Sequence, residues 1–315
     1  MQIFNRLQHH KWLSTLLRFI ISFSLIYVLI LFADIQLIIS SFADFSIYWV
    51  LIVLILIALS VLVSAWKWAT LLQALQIQIS LRKLFQIYST ALFFNNFLPS
   101  SIGGDGVRIF LAGKYGGNTA AVASTVVLER TIATVTLALL GLIGAFLSAH
   151  PLQSAIWLLI GLLLIAMILS TILLAGWTPK FIQRGTRKWH QAWRHFADAA
   201  GELRKRRKAI FHCFLLSILF QLNVVIVVIA VMEGLQLQLP TFADMTYIVS
   251  ASSVLAMIPI GINGFGLREG SYILLMEPFG FSAAQAMTIS ILFALFVSLF
   301  SLWGGINWLF VKRQK

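Results

Sequence analysis

Asn95-Asn96-Phe97-Leu98-Pro99-Ser100-Ser101-Ile102-Gly103-Gly104-Asp105-Gly106-Val107-Arg108 places two amides, a proline, three glycines, an aspartate and an arginine inside an otherwise apolar sequence. Polar and charged groups of this kind are penalised in hydrocarbon unless the protein satisfies them internally. The run therefore reads as a break between two helices where something polar is met. A gapless second copy follows 160 residues later, with Pro99, Gly104, Gly106, Val107 and Arg108 aligned to Pro259, Gly264, Gly266, Leu267 and Arg268. The downstream pairs Ala120-Ala121 and Ala283-Ala284 match at a shift of 163, so the copies differ by a small indel. Internal symmetry of this type is found in transporter folds.

The 315 residues are 60% hydrophobic and 10% charged, a composition foreign to water-soluble domains. Several apolar runs exceed the ~20 residues that span a bilayer. The expected class is all-α, a polytopic integral membrane protein. The apolar segment after Lys11 has no small-residue cleavage site before Asp34, so it reads as a retained helix rather than a signal peptide. A single cysteine, Cys213, excludes an intramolecular disulfide and a Cys-rich metal site, and the six histidines show no ligand spacing. No metal or cofactor is expected. The net charge of +13 reads as a topology signal, and no nucleic-acid partner is expected.

Six spans are expected near 13–33, 47–66, 119–148, 153–175, 209–232 and 282–310. They make one transmembrane domain over 1–315, with a first half at 13–175 and a second half at 209–315. Between the halves, 176–208 is a cytoplasmic basic segment. Two broken units, 84–117 and 242–279, are read as re-entrant hairpins. In the first of them the helix expected after the break, Val107 to Tyr115, rises only ~15 Å, about half the ~30 Å hydrocarbon thickness. Ten of the 23 Lys and Arg residues fall in 178–208. A full crossing by the first unit would place that loop outside, against the positive-inside rule. Re-entry keeps both termini cytoplasmic, in the inner (plasma) membrane of a prokaryote. It also makes the hairpins open from opposite faces, an inverted repeat suited to alternating access. Ile182, Trp189, Trp193, Phe196 and Leu203 share one helical face, so 178–208 reads as a helix lying on the anionic inner leaflet. Gly185 and Gly201 keep a solvated linker as the alternative.

A glycine-rich tip presents backbone amides, and the returning helix points its partial positive end at the same space. Arg108 and Arg268 stand at that end and need an anion or a carboxylate to be stable there. Phosphate suits arginine, which grips it with two parallel hydrogen bonds. Glu129 and Arg130 lie about 15 Å into the third span, where charged residues are functional candidates. The candidate substrate-binding set is Arg108, Arg268, Glu129, Arg130, Asp105, Asn95, Asn96, Gly104, Gly106, Asn263, Gly264, Gly266 and Glu269. If Asp105 caps its helix, the remaining acids look too few to neutralise Arg108, Arg130 and Arg268. The alternative is structural: Arg108 paired with Asp105 or Glu129, Arg268 with Glu269, and the three asparagines serving freed backbone groups. No catalytic residue is expected, because Asp105, Glu129 and Glu269 are scattered and form no acidic pair.

The first motif, with Leu128-Glu129-Arg130 and Pro259 to Glu269, resembles the flippase-like transmembrane domain of the lysylphosphatidylglycerol synthase family over nearly the whole chain. Members that include the multiple peptide resistance factor join such a domain to an aminoacyl transferase domain. The resemblance implies a stand-alone membrane unit that moves or handles a lipid. Related sequences have also been grouped with glycosyltransferases acting on lipid carriers. Three readings follow: a translocator of an anionic lipid, either a phospholipid or a polyprenyl-phosphate-linked molecule; a transferase acting on a lipid-linked sugar; or a non-transporting partner subunit for a separate transferase protein.

Overall fold

A computed structural model describes residues 45–97, 102–116, 118–179, 186–258 and 266–311, all of it helix, turn or connecting segment. The helices are α1 (Ile47–Ala74), α2 (Leu81–Phe97), α3 (Ile102–Gly116), α4 (Thr119–Leu147), α5 (Gln153–Leu174), α6 (Lys188–Lys205), α7 (Arg207–Gly234), α8 (Phe242–Ala256), α9 (Leu267–Met276) and α10 (Ala283–Val311). A single 3-10 turn, Glu277–Phe279, follows α9. Five of them, α1, α4, α5, α7 and α10, are long and apolar enough to cross a membrane. The first expected span, 13–33, lies outside the described residues.

The second copy of the motif is part of a repeat of whole helices. α1 and α7 each hold 28 residues and begin 160 positions apart, at Ile47 and Arg207. They pack against one another and run antiparallel. Asn223 of α7 donates to Leu56 O at 2.8 Å and to Ser60 Oγ at 2.6 Å, and Gly234 sits over Phe45 and Trp49. Equivalent helices that run antiparallel mean that the halves are inverted relative to one another. Each short pair folds back as a hairpin inserted between two spans: α2–α3 between α1 and α4, and α8–α9 between α7 and α10. Because the ends of α1 and α7 lie at opposite sides, so do the mouths of the hairpins. None of the four hairpin helices spans ~30 Å: at 1.5 Å per residue they rise ~25, ~22, ~22 and ~15 Å.

The halves are also laced together reciprocally, α2 against α10 and α8 against α4. Small residues permit both approaches, as is usual where helices pack without help from water. A Cβ at Gly144 would stand 2.7 Å from Tyr247 N, and one at Gly304 would overlap the Ser89 carbonyl. Thr90 Oγ1 donates to Gly304 O at 3.2 Å, and Asn96 Nδ2 to Ser301 Oγ at 2.7 Å. At the other end Asp244 is the N3 partner in a capping box with Thr241 and also accepts from Ser148 Oγ at 2.6 Å, while Tyr247 Oη accepts from Leu152 N at 2.9 Å. These bonds pin α8 to the α4–α5 turn.

Three boundaries differ from the sequence expectation. α1 continues to Ala74 instead of stopping near Trp66, because Ser64, Lys67, Trp68, Leu71 and Leu72 carry its buried face onward. α3 begins at Ile102 instead of about Val107, which places Gly103 to Gly106 inside its first turns. α6 packs against α4 and α5, with Ala197, Ala200 and Leu203 buried and Trp189 and Trp193 exposed, so its apolar face is divided between protein and surroundings. Its Glu202 accepts from Lys205 at 2.9 Å, and that bond and charge hold the carboxyl below its ordinary range. Ile182 and Gly185 lie outside the described residues.

Candidate functional site

Gly104 and Asn95 build the first hairpin. Asn95 Oδ1 accepts from Gly104 N at 2.7 Å, satisfying one of the open donors of the first turn of α3. A Cβ on Gly104 would stand 2.6 Å from Ala91 O, so only glycine lets α3 approach α2 this closely. Gly106, two residues on, has no atom within 4 Å of its would-be Cβ and faces open space. Asn96 reaches across to α10, so both asparagines serve the fold in this conformation.

Arg108 then points from α3 into the protein, where it is 2% exposed. Its guanidinium rests against both the Trp68 and Tyr88 rings, 4.4 and 4.1 Å from their centroids, in the corner formed where the two rings meet edge-on. One terminal nitrogen donates to Glu129 Oε2 and the other lies 3.4 Å from Asp105 Oδ1. Glu129, equally buried on α4, is shared: Lys67 Nζ of α1 is 3.1 Å from Oε1, and Tyr88 Oη donates to the same oxygen at 3.0 Å. Trp68 Nε1 donates to Thr125 Oγ1 at 3.0 Å, fixing the ring under the guanidinium. Arg130 follows Glu129 on the next face of α4, is 45% exposed, and grips Asp105 in a bidentate pair at 2.8 and 3.0 Å. Arg108 Nε has no acceptor among the described residues.

The second hairpin carries a simpler cluster. Gly266 has φ +85° at the start of α9, a left-handed conformation that favours glycine, and its N–H donates to Glu269 Oε2 at 2.6 Å. Glu269 Oε1 accepts from Arg268 Nη2 at 3.1 Å and from Ser290 Oγ at 3.0 Å, and Arg268 Nε donates to Ser290 Oγ at 3.2 Å. Asn263 and Gly264 lie outside the described residues.

The structure thus brings Asp105, Arg108, Glu129 and Arg130 into one cluster beside Asn95, Gly104 and Gly106, and gathers Gly266, Arg268 and Glu269 into a second that shares no residue with the first. Two expectations change. Among the described residues Asp105 meets Arg108 and Arg130 and so bridges them, and every one of the three arginines has a carboxylate. Lys67, Trp68 and Tyr88 are absent from the candidate set read from the sequence, because the span expected at 47–66 stops short of Lys67 and Trp68. The signal was present in the helical spacing of Ser64, Lys67, Trp68 and Leu71, which continues the buried face past Trp66.

Hairpins too short to cross, entering from opposite ends and each presenting an arginine at its returning helix, define a polytopic membrane protein of inverted-repeat design. The chain matches the family model described as the lysylphosphatidylglycerol synthase TM region over residues 16–305, and it belongs to that family. No curated protein and no solved structure gives a significant match.

Proposed function

We propose that the protein moves an anionic lipid between leaflets, the lipid phosphate being taken by the Arg108 cluster. The observation that carries this reading is a fully buried guanidinium, placed by a hairpin of limited length, that retains a donor with no acceptor among the described residues. A purely structural arginine is expected to have its donors met, since an unmet buried donor costs ~1–3 kcal/mol. The site is closed in this conformation, so the phosphate reaches Arg108 when α2–α3 shifts against α4 and Glu129 yields part of the guanidinium. Lys67 keeps Glu129 neutralised while that happens. Arg268 stands at the equivalent place of the opposite hairpin and would receive the phosphate in the alternate state. Family membership supports lipid handling, and the inverted hairpins support access from each side in turn.

In the same reading the membrane is the inner membrane of a prokaryote, with α6 on its anionic cytoplasmic face. Trp189 and Trp193 are exposed on the first half of α6, and Arg204, Lys205 and Arg207 are exposed at and just past its end. A separate transferase protein as partner belongs to the rival reading. The deciding experiment measures leaflet exchange of a fluorescent phosphatidylglycerol in proteoliposomes, beside sugar transfer from a lipid-linked donor by the same preparation. Exchange well above that of empty vesicles, without sugar transfer, is expected. Sugar transfer with no added exchange would move the protein to the transferase class.

A further inference from the structure

Two cavities meet where α5 ends against α6. One is an apolar groove of about 390 Å³, lined by Val127 and Thr131 of α4, Leu173 of α5, and the rings of Trp177, Trp193 and Phe196. The other, of about 700 Å³, is polar and lined by Asp198, Glu202, Arg204, Lys205 and Arg207. Gly176 and Ala197 line both, so the groove and the polar cavity are continuous at that contact. Gly176 has φ +64°, and a Cβ there would stand 3.0 Å from Ala197 O, so a glycine lets the end of α5 approach α6. The polar lining holds three cations and two carboxylates. Glu202 is already engaged by Lys205 at 2.9 Å and by Arg206 at 3.7 Å. Among the described residues that leaves Arg204 and Arg207 against Asp198 alone, an excess of one positive charge at the mouth of an aromatic groove.

We propose that this composite cleft binds a long-chain fatty acid, with its one acyl chain in the aromatic groove and its carboxylate at Arg204 and Arg207. The groove stands at the small end of the ~300–1,000 Å³ range of ligand sites, which suits a single slender chain. A carboxylate monoanion matches the one excess charge, and the arginine fork takes a carboxylate through two parallel hydrogen bonds. A neutral head leaves that charge uncompensated, and a basic head adds to it. The cleft shares no residue with the Arg108 or Arg268 clusters, so its occupant is a resident ligand and not cargo. Its place on α4 gives occupancy a consequence. Val127 and Thr131 bracket Glu129 and Arg130 in the chain, so an acyl chain lodged there braces α6 against the helix that carries both.

The test places the full chain in phosphatidylcholine nanodiscs at alkaline pH and titrates in stearate brominated at mid-chain, whose bromines quench nearby tryptophan fluorescence. Quenching should saturate at low mole fraction, and its saturable part should vanish when Trp177→Phe and Trp193→Phe are combined. The methyl ester should bind about three- to fivefold more weakly, the scale of an exposed ion pair, and combining Arg204→Gln with Arg207→Gln should erase that difference. Val127→Phe narrows the groove and should weaken acid and ester alike by about tenfold. All five positions are exposed, and slow labelling of the buried Cys213 by a thiol reagent checks that each variant is folded. Quenching that rises in proportion to mole fraction without saturating would make these tryptophans ordinary bilayer neighbours and overturn the site. An ester as tight as the acid in the unaltered chain would overturn the carboxylate assignment. Equal saturation by a phosphatidylcholine carrying the same brominated chain would make a leaflet phospholipid the occupant and overturn the fatty-acid assignment. None of the variants touches Arg108, so the translocation reading stands or falls separately.

Discussion

Gly104→Ala and Gly106→Ala differ by two positions in one helix and should have opposite effects. At Gly104 the new methyl would stand 2.6 Å from Ala91 O and overlap the Asn95 side chain. Relieving it separates α2 from α3, which costs ~1–3 kcal/mol for overpacking and weakens the Asn95–Gly104 bond by a further ~1 kcal/mol. The gain from replacing a helical glycine offsets ~1 kcal/mol of this, leaving a net loss of about 2 kcal/mol. At Gly106 the methyl meets nothing within 4 Å, so only the propensity gain of ~0.5–1 kcal/mol remains. Cys213 is fully buried, so the rate at which a thiol-reactive dye labels it during heating reports unfolding. At ~2–4 °C per kcal/mol, Gly104→Ala should lower the midpoint by about 4–8 °C and Gly106→Ala should raise it by about 1–4 °C. Equal shifts of one sign would refute the close hairpin. A stable Gly106→Ala that binds phosphatidylglycerol poorly would add that the open face is part of the headgroup's path.

Glu129→Ala leaves Lys67 buried without a carboxylate and Arg108 with only its longer contact to Asp105, and should cost ~3–5 kcal/mol in the same unfolding assay, far more than Arg130→Ala at its half-exposed position. Gly304→Ala should weaken the α2–α10 contact as Gly144→Ala weakens α4–α8, each lowering the midpoint by several degrees; tolerance of one with collapse of the other would break the reciprocal packing. Cysteines at Gln78 and Glu233, in a Cys213→Ser background, should be labelled by an impermeant thiol reagent from opposite sides of sealed vesicles, because they lie at the mouths of opposite hairpins. Thr241→Ala removes the α8 capping box and should cost ~1 kcal/mol, read by Cys213 labelling during heating in the chain that retains Cys213.

The two motifs separated by 160 residues made the repeated halves legible, since a proline followed by a cluster of glycines disfavours an uninterrupted span. The short helices followed from length alone. What stayed hidden was pairing across the chain. Glu129 was visible as an intramembrane charge, yet nothing in linear order says that Lys67, 62 positions earlier, shares it. Lys67 follows Trp66 as an interface lysine commonly does, and only the helical phase of Ser64, Trp68 and Leu71 distinguishes the two cases. Asp105 is equally ambiguous in sequence: a carboxylate in a first turn either meets backbone amides or reaches a side chain, and here Arg130 decides it, 25 positions away. The reciprocal contacts of α2 with α10 and α8 with α4 were hidden for the same reason.

The most direct measurement of the central claim is leaflet exchange by Arg108→Met in proteoliposomes, with Cys213 protection as the check on folding. Glu129 keeps Lys67 and Asp105 keeps Arg130 in this variant, so no carboxylate is left unpaired and the protein should remain folded, with Cys213 shielded as in wild type. Lipid exchange should nevertheless fall to the rate of empty vesicles. Exchange at the wild-type rate by a protein with shielded Cys213 would show that Arg108 only holds the hairpin, and would contradict the account.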